Sequence, residues 1–159
     1  MCEFDPRCNG GDDLIGHALA QIVQGRWAVT AVFGDEVSPP MAYTTGLTEF
    51  GRPELMITGL DAELSGRLLN LAAQRVIDDP TIGGGTHLAR VIREPYELAA
   101  VDVAHTATLR VTQVVYGRAF TALQLVWPDR DGCYPWDHGY SVDLDAQPLW
   151  GVPAHDDAA

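Results

Sequence analysis

The stretch ALQLVWPDRDGCYPWD, Ala122–Asp137, constrains this chain most. An apolar run passes into an acidic turn and then an aromatic return, the pattern of a strand that ends at a loop. A strand over Ala119–Trp127 puts Phe120, Ala122, Gln124 and Val126 on one side. Thr121, Leu123, Leu125 and Trp127 then face the other. Gln124 interrupts an apolar face, so burial obliges it to find hydrogen-bond partners. Asp129-Arg130-Asp131-Gly132 is ordinary turn chemistry. Trp127, Tyr134, Trp136 and Asp137 gather where the strand ends, a place where a rigid sheet presents chemistry on a loop.

The rest of the chain supplies partners for that strand. Ile15, Ala18, Leu19, Ile22 and Val23 recur with helical period, with Asp12-Asp13 before them as a cap and Gly25 after them as a stop. Trp27–Phe33, Met41–Leu47 and Glu54–Leu60 read as strands separated by Gly- and Pro-bearing turns. The third is nearly all apolar, which predicts a central strand covered on both faces. Asp61 caps a second helix with Leu64, Leu68, Leu71 and Ala72 inward, ending after about Val76 at Asp78-Asp79-Pro80. Gly83-Gly84-Gly85 follows a helix and precedes a strand at Thr86–Ile92, the reverse of the order a nucleotide fingerprint requires, and reads as a linker. Tyr96–Val103 is a further strand, and a third helix runs from His105 to Tyr116-Gly117, with strand as the alternative because of its β-branched residues. Tyr134–Tyr140 is a candidate return strand. Short turns between neighbours predict an α+β fold: a mainly antiparallel, twisted sheet, barrel-like if it curls shut, with about three flanking helices. Residues 1–11 form an irregular arm, 12–152 one domain, and 153–159 a frayed acidic tail.

Charge narrows the partners. Twenty-two acidic residues against ten basic ones give a net charge of −12, and every basic residue is an arginine. Nucleic acid is therefore not an expected partner, because affinity for a phosphate backbone comes from basic contacts. Lysine chemistry, whether a Schiff base or a Walker-type phosphate contact, is excluded outright. No apolar run reaches the ~20 residues a bilayer crossing needs, and the N-terminus has no basic-then-apolar order of a signal peptide. These features predict no membrane partner, a cytoplasmic location and reduced thiols at Cys2, Cys8 and Cys133.

GRWAVTAVFGDEVSPPMAYTTGLTEFGRPELMITGL, the Leu68–Asn70 helix segment, YGRAFTALQLVWPDRDGCYPWD and QPLWG together resemble the bacterial domain of unknown function 4262 family. The resemblance runs from about residue 2 to residue 151, and its motifs fall on Tyr43–Leu47, Pro53–Leu55, Ala122–Trp127 and Pro135–Asp137. His105 sits where members commonly carry a histidine. The resemblance implies no particular activity. Members often begin with Cys-x-x-Cys, whereas Cys2 and Cys8 are six positions apart.

Several constellations qualify as sites. Tyr43, Gln124, Trp127, Tyr134 and Trp136, with Trp27 and His105, have the composition of an aromatic, polar cleft for a small molecule, and equally of a core whose Tyr and Trp find partners. The expected location is between the Tyr43 strand and the Gln124–Trp136 hairpin. An enzyme using His105 or Asp137 for proton transfer is the alternative, with Arg110 or Arg118 as a partner for Asp137. By fold-level analogy with flavin-binding split barrels, such an enzyme would hold FMN, with Arg52, Arg67 or Arg90 as phosphate contacts. Cys133 with His105 or His138 is a candidate thiol–histidine pair. Cys2, Cys8, Cys133 and His138, with His17, His87 and His105 further afield, are candidate metal ligands at loose spacing. Glu54, Asp129, Asp131 and Asp137 offer carboxylates, although the Asp129 turn is explained as a turn. A protein-interaction module, including a homodimer built on exposed aromatics, is the remaining reading.

Overall fold

The computed structural model describes residues 10–153, with side chains from residue 14 onward. The order is α1 (Gly10–Val23), β1 (Ala28–Val32), β2 (Met41–Thr45), β3 (Glu54–Thr58), α2 (Ala62–Asp78), β4 (His87–Leu88), β5 (Leu98–Asp102), α3 (Arg110–Tyr116) and β6 (Ala122–Val126). One sheet runs β1-β2-β3-β6-β5-β4. It is open, with β1 and β4 as its edges, so the chain does not close into a barrel. All neighbours are antiparallel except β3 and β6, which run parallel with Met56 opposite Gln124.

The sheet is covered on both faces. Leu55, Ile57, Leu123 and Leu125 point to α2, whose Leu68, Leu69, Ala72, Ala73 and Val76 are buried against them. Tyr43, Met56 and Ala122 point the other way, into a cluster with Ala18 of α1 and Val111 of α3. Double coverage explains why β3 and β6 are buried at every position, as an unbroken apolar strand requires. No helix among the described residues is long and apolar enough to cross a membrane.

Several boundaries and faces differ from the expectation. α1 starts at Gly10, so Gly10 and Gly11 belong to the helix and Asp12-Asp13 lie in its first turn. Leu19 and Val23, placed inward by period, are 46% and 86% exposed, because the sheet meets α1 along a narrower stripe centred on Ala18. Leu71 of α2 likewise faces outward, and Leu69 and Ala73 take the inner face. Asp61 does cap α2, its carboxylate accepting from the Leu64 amide at 2.8 Å. The other end of α2 is held by Arg52, whose guanidinium donates to the carbonyls of Val76 at 2.7 Å and Ile82 at 2.6 Å. Of the expected Thr86–Ile92 strand, His87–Leu88 forms a strand paired with β5, and the Thr86 carbonyl accepts from the Ala100 amide beside it at 2.8 Å. Tyr134–Tyr140 forms no strand; hydrogen bonds within a loop organise it instead.

Candidate functional site

The polar residue in β6 proves to be a clamp. Gln124 is fully buried, and its amide donates to Thr58 Oγ1 at 3.3 Å and to the Pro148 carbonyl at 2.8 Å. Its oxygen accepts from the Trp150 amide at 2.7 Å. A second buried glutamine completes the clamp: Gln147 accepts from the Trp127 amide at 2.8 Å and donates to the Trp127 carbonyl at 2.9 Å. Trp127 Nε1 donates to Thr58 O at 2.8 Å. The ALQLVW and QPLWG segments therefore interlock, and residues 147–151 are strapped across the sheet face that carries Tyr43.

That strap fills the gap expected between the Tyr43 strand and the β6 return. Tyr43, Met56 and Gln124 stand in one cross-strand row, so Met56 occupies the space between the other two. Tyr43 is 2% exposed and its hydroxyl accepts from the Val111 amide at 3.0 Å. Trp150 packs into the same cluster. Tyr43, Gln124 and Trp127 thus serve the fold at this place, with Met56 between the first two. Trp27 is also committed, donating from Nε1 to Asn70 at 2.9 Å.

Tyr134 and Trp136 lie elsewhere, beyond the β5–β6 edge of that row. Their rings stack with centroids 5.2 Å apart and planes at 12°. Asp129 holds the loop that carries them. Its carboxylate is 4% exposed and accepts from the amides of Asp131, Cys133 and Ser141 and from the Ser141 hydroxyl, all at 2.8–2.9 Å. Burial alone would raise its pKa, but these donors together overcome burial and hold it at about 2. The turn reading of Asp129 is thereby explained as an anchor. Asp137 accepts from the Tyr134 amide at 2.8 Å and so shapes the same loop.

Beside this loop is a cleft of about 340 Å³ between the Asp129–Tyr134 turn and the β4–β5 corner. Its wall includes His87, Tyr96, Glu97, Arg130, Asp131 and Tyr134, with Pro95 and Pro128 as apolar surface. Tyr134 donates to the Glu97 carbonyl at 2.8 Å, and its hydroxyl stands 3.5 Å from His87 Nδ1. The His87 ring meets Tyr134 edge-on at 5.2 Å, and its Nδ1 is 3.9 Å from the Glu97 carboxylate. Burial, then the charges of Glu97 and Asp137, raise the Tyr134 pKa, so its hydroxyl keeps the proton it donates. Tyr96 closes the corner by donating to the Arg130 carbonyl. Sequence reasoning passed over Tyr96, Glu97 and Arg130, and considered His87 only as a metal ligand. The available signal was indirect. β5 and β6 are antiparallel, so the turn that opens β5 and the turn that leaves β6 must meet at one end of the sheet.

The other candidates do not converge. His105 follows the Asp102 end of β5, whereas Asp137 lies beyond the Val126 end of β6, and the register puts these at opposite ends of the strand pair. Burial, then Asp129, Asp137 and Asp131, raise the Cys133 pKa, which disfavours the thiolate a nucleophile needs. Among the described residues no three His, Cys, Asp or Glu side chains come together to hold a metal. His17 and His138 are exposed, and Cys2 and Cys8 lie outside the described residues. Arg52 is committed to the Val76 and Ile82 carbonyls, Arg90 stands 3.9 Å from Glu94 in an exposed pair, and Arg67 lies on the outer side of α2. Arg110 and Arg118 are exposed. Glu54 is fully buried, and its carboxylate accepts from the amides of Gly46, Leu47 and Thr48 at 2.8–3.2 Å and from the hydroxyls of Thr44 and Thr48. It fixes the turn after β2.

An α+β protein with an open, mostly antiparallel six-stranded sheet is what these elements define. Residues 21–141 match the sequence profile of the family described as Domain of unknown function (DUF4262), and the chain belongs to that family. Among curated proteins no sequence relative is found. A crystal structure described as a SUFU (suppressor of fused protein) homolog from Neisseria gonorrhoeae FA 1090 is similar at 10% identity and a TM-score of 0.46, over 76% of this chain and 78% of that one.

Proposed function

We propose that the chain binds a small polar molecule in the cleft between the Asp129–Tyr134 turn and the β4–β5 corner. The observation that carries this reading is the concentration of polar groups in one concavity of about 340 Å³, a size within the usual range for small-ligand sites. The Glu97 and Asp131 carboxylates suit an amine, and the Arg130 guanidinium suits a carboxylate, so a zwitterion of amino-acid size is the favoured class. Tyr134 supports this reading by supplying a rigid wall, locked by the Glu97 carbonyl on one side and the Trp136 ring on the other. An enzymatic reading built on His105 or Asp137 has less support, because neither residue lines this cleft.

Thermal denaturation with a panel of free amino acids, small amines and small dicarboxylates tests the proposal. A ligand that binds only the folded state raises Tm in proportion to its occupancy. Arg130→Ala and Glu97→Gln should each remove the shift while leaving the unliganded Tm near that of the unsubstituted protein. If no compound shifts Tm, and none perturbs the amide resonances of the turn, the proposal fails.

A further inference from the structure

We propose that the free edge of β1 is a docking surface for the β1 of a second copy of this chain. The site is independent of the cleft, at the far edge of the sheet. β1 pairs with β2 alone, and no described residue hydrogen-bonds to its outer side. Its two faces are already covered: Ala28 packs with Ala18 of α1, and Val29 and Ala31 pack on the α2 cluster. What remains unmatched is the backbone edge. Proteins usually guard such an edge with charge, proline, a bulge or brevity. β4, the opposite edge, is guarded by having only two residues. Trp27–Phe33, WAVTAVF, has no charge and no proline.

The same sequence is nearly self-complementary when read antiparallel about Thr30. A two-fold axis there pairs Val29 with Ala31, Ala28 with Val32, and Trp27 with Phe33 of the second copy. Directly opposed residues share a face, so each pair meets on one side of the joined sheet. Val32 and Phe33 are 45% and 60% exposed in the single chain, and this register covers both. Extended by one residue, it brings the exposed Arg26 beside Gly34 and Asp35 of the other copy, opposite charges at each end of the seam. The joined sheet would have β1 pairs at its centre and no long free edge. Opposing it is the net charge of −12 on each copy, which makes association dependent on salt.

Sedimentation equilibrium of the full chain is the test. The expected result is a mass that rises from one chain toward two with concentration, and does so more readily at ~150 mM salt than at ~10 mM. Phe33→Arg and Arg26→Glu should each weaken association by about tenfold or more, through the lost aromatic pair and a carboxylate set beside Asp35. Both positions are exposed, so the melting curve of dilute protein should not move. Hydrogen exchange should slow within Ala28–Val32 as concentration rises. A monomer at every concentration and salt reached overturns the proposal. So does a dimer that ignores both substitutions or leaves exchange in β1 unchanged.

Discussion

Glu54 shows how a single side chain can set a local conformation. Gly46, at φ 136°, turns the chain after β2 so that three consecutive amides point inward, and the Glu54 carboxylate gathers them. Glu54→Gln keeps the size but sets an NH2 against amide donors. The expected loss is about 1–3 kcal/mol, the usual cost of an unsatisfied buried donor, measured as a lower urea midpoint at unchanged m. Glycine is required at Gly151 for a different reason. A Cβ there would run into the Asp102 carbonyl, a backbone atom held in β5, whereas at Gly84 it would meet only the end of the Asp102 side chain. Gly151→Ala is expected to cost about 1–3 kcal/mol and to loosen the strap, while Gly84→Ala costs under about 0.5 kcal/mol because Asp102 can swing away. Equal losses in the two variants would show that the strap is not bound as described. Gln124 stood out in the sequence as a polar residue in an apolar run, yet its partners Thr58, Pro148 and Trp150 come from distant segments, whereas Glu54 binds the turn that precedes it in the chain.

At the level of the element, α2 is the best-secured piece. Asp61 accepts from the Leu64 amide at its start and Arg52 donates to the Val76 carbonyl in its last turn, so each end has a side-chain partner for one otherwise unsatisfied backbone group. Asp61→Ala should lower stability by about 1 kcal/mol, read by calorimetry. The Asp129 loop responds to acid. Its carboxylate sits at about 2 in the fold against an ordinary 3.8, so its contribution to stability is complete above the ordinary value. That contribution is lost as pH falls from about 4 toward 2. Fluorescence of Trp136, on the same loop, should report loosening in that window, ahead of global unfolding. Asp129→Asn should show reduced stability at neutral pH and no such step. The period of the sequence found α2 and its cap, but not which leucine faces outward, because the sheet rather than the helix fixes the angle of contact.

For the whole molecule, charge is the dominant long-range term. A net charge of −12 without a single lysine makes the compact state self-repulsive at low ionic strength. Raising salt from ~10 mM to ~150 mM shortens screening from roughly 30 Å to 8 Å and should raise Tm in dilute protein. A flat response would mean that the arginines already balance their neighbours. Coverage of the sheet by α2 on one face, and by α1, α3 and the strap on the other, leaves concave surface mainly at its rim. The candidate cleft accordingly lies at the β4–β5 corner and not among the aromatic residues of the centre.

The strands β1, β2, β3, β5 and β6, the helices, the Asp61 cap and the need to satisfy Gln124 were written in short stretches of sequence, because turn chemistry, periodicity and the cost of a buried amide act within a few residues. Three things were not. The parallel union of β3 with β6 joins segments more than sixty residues apart, and no local pattern chooses it. The filling of the central gap by Met56 and Trp150 depends on which strands become neighbours. The meeting of Glu97 with Arg130 and Tyr134 depends on the direction in which β5 runs beside β6. Pairing partner and strand direction are settled by the packing of the whole chain, and the candidate site is a product of both.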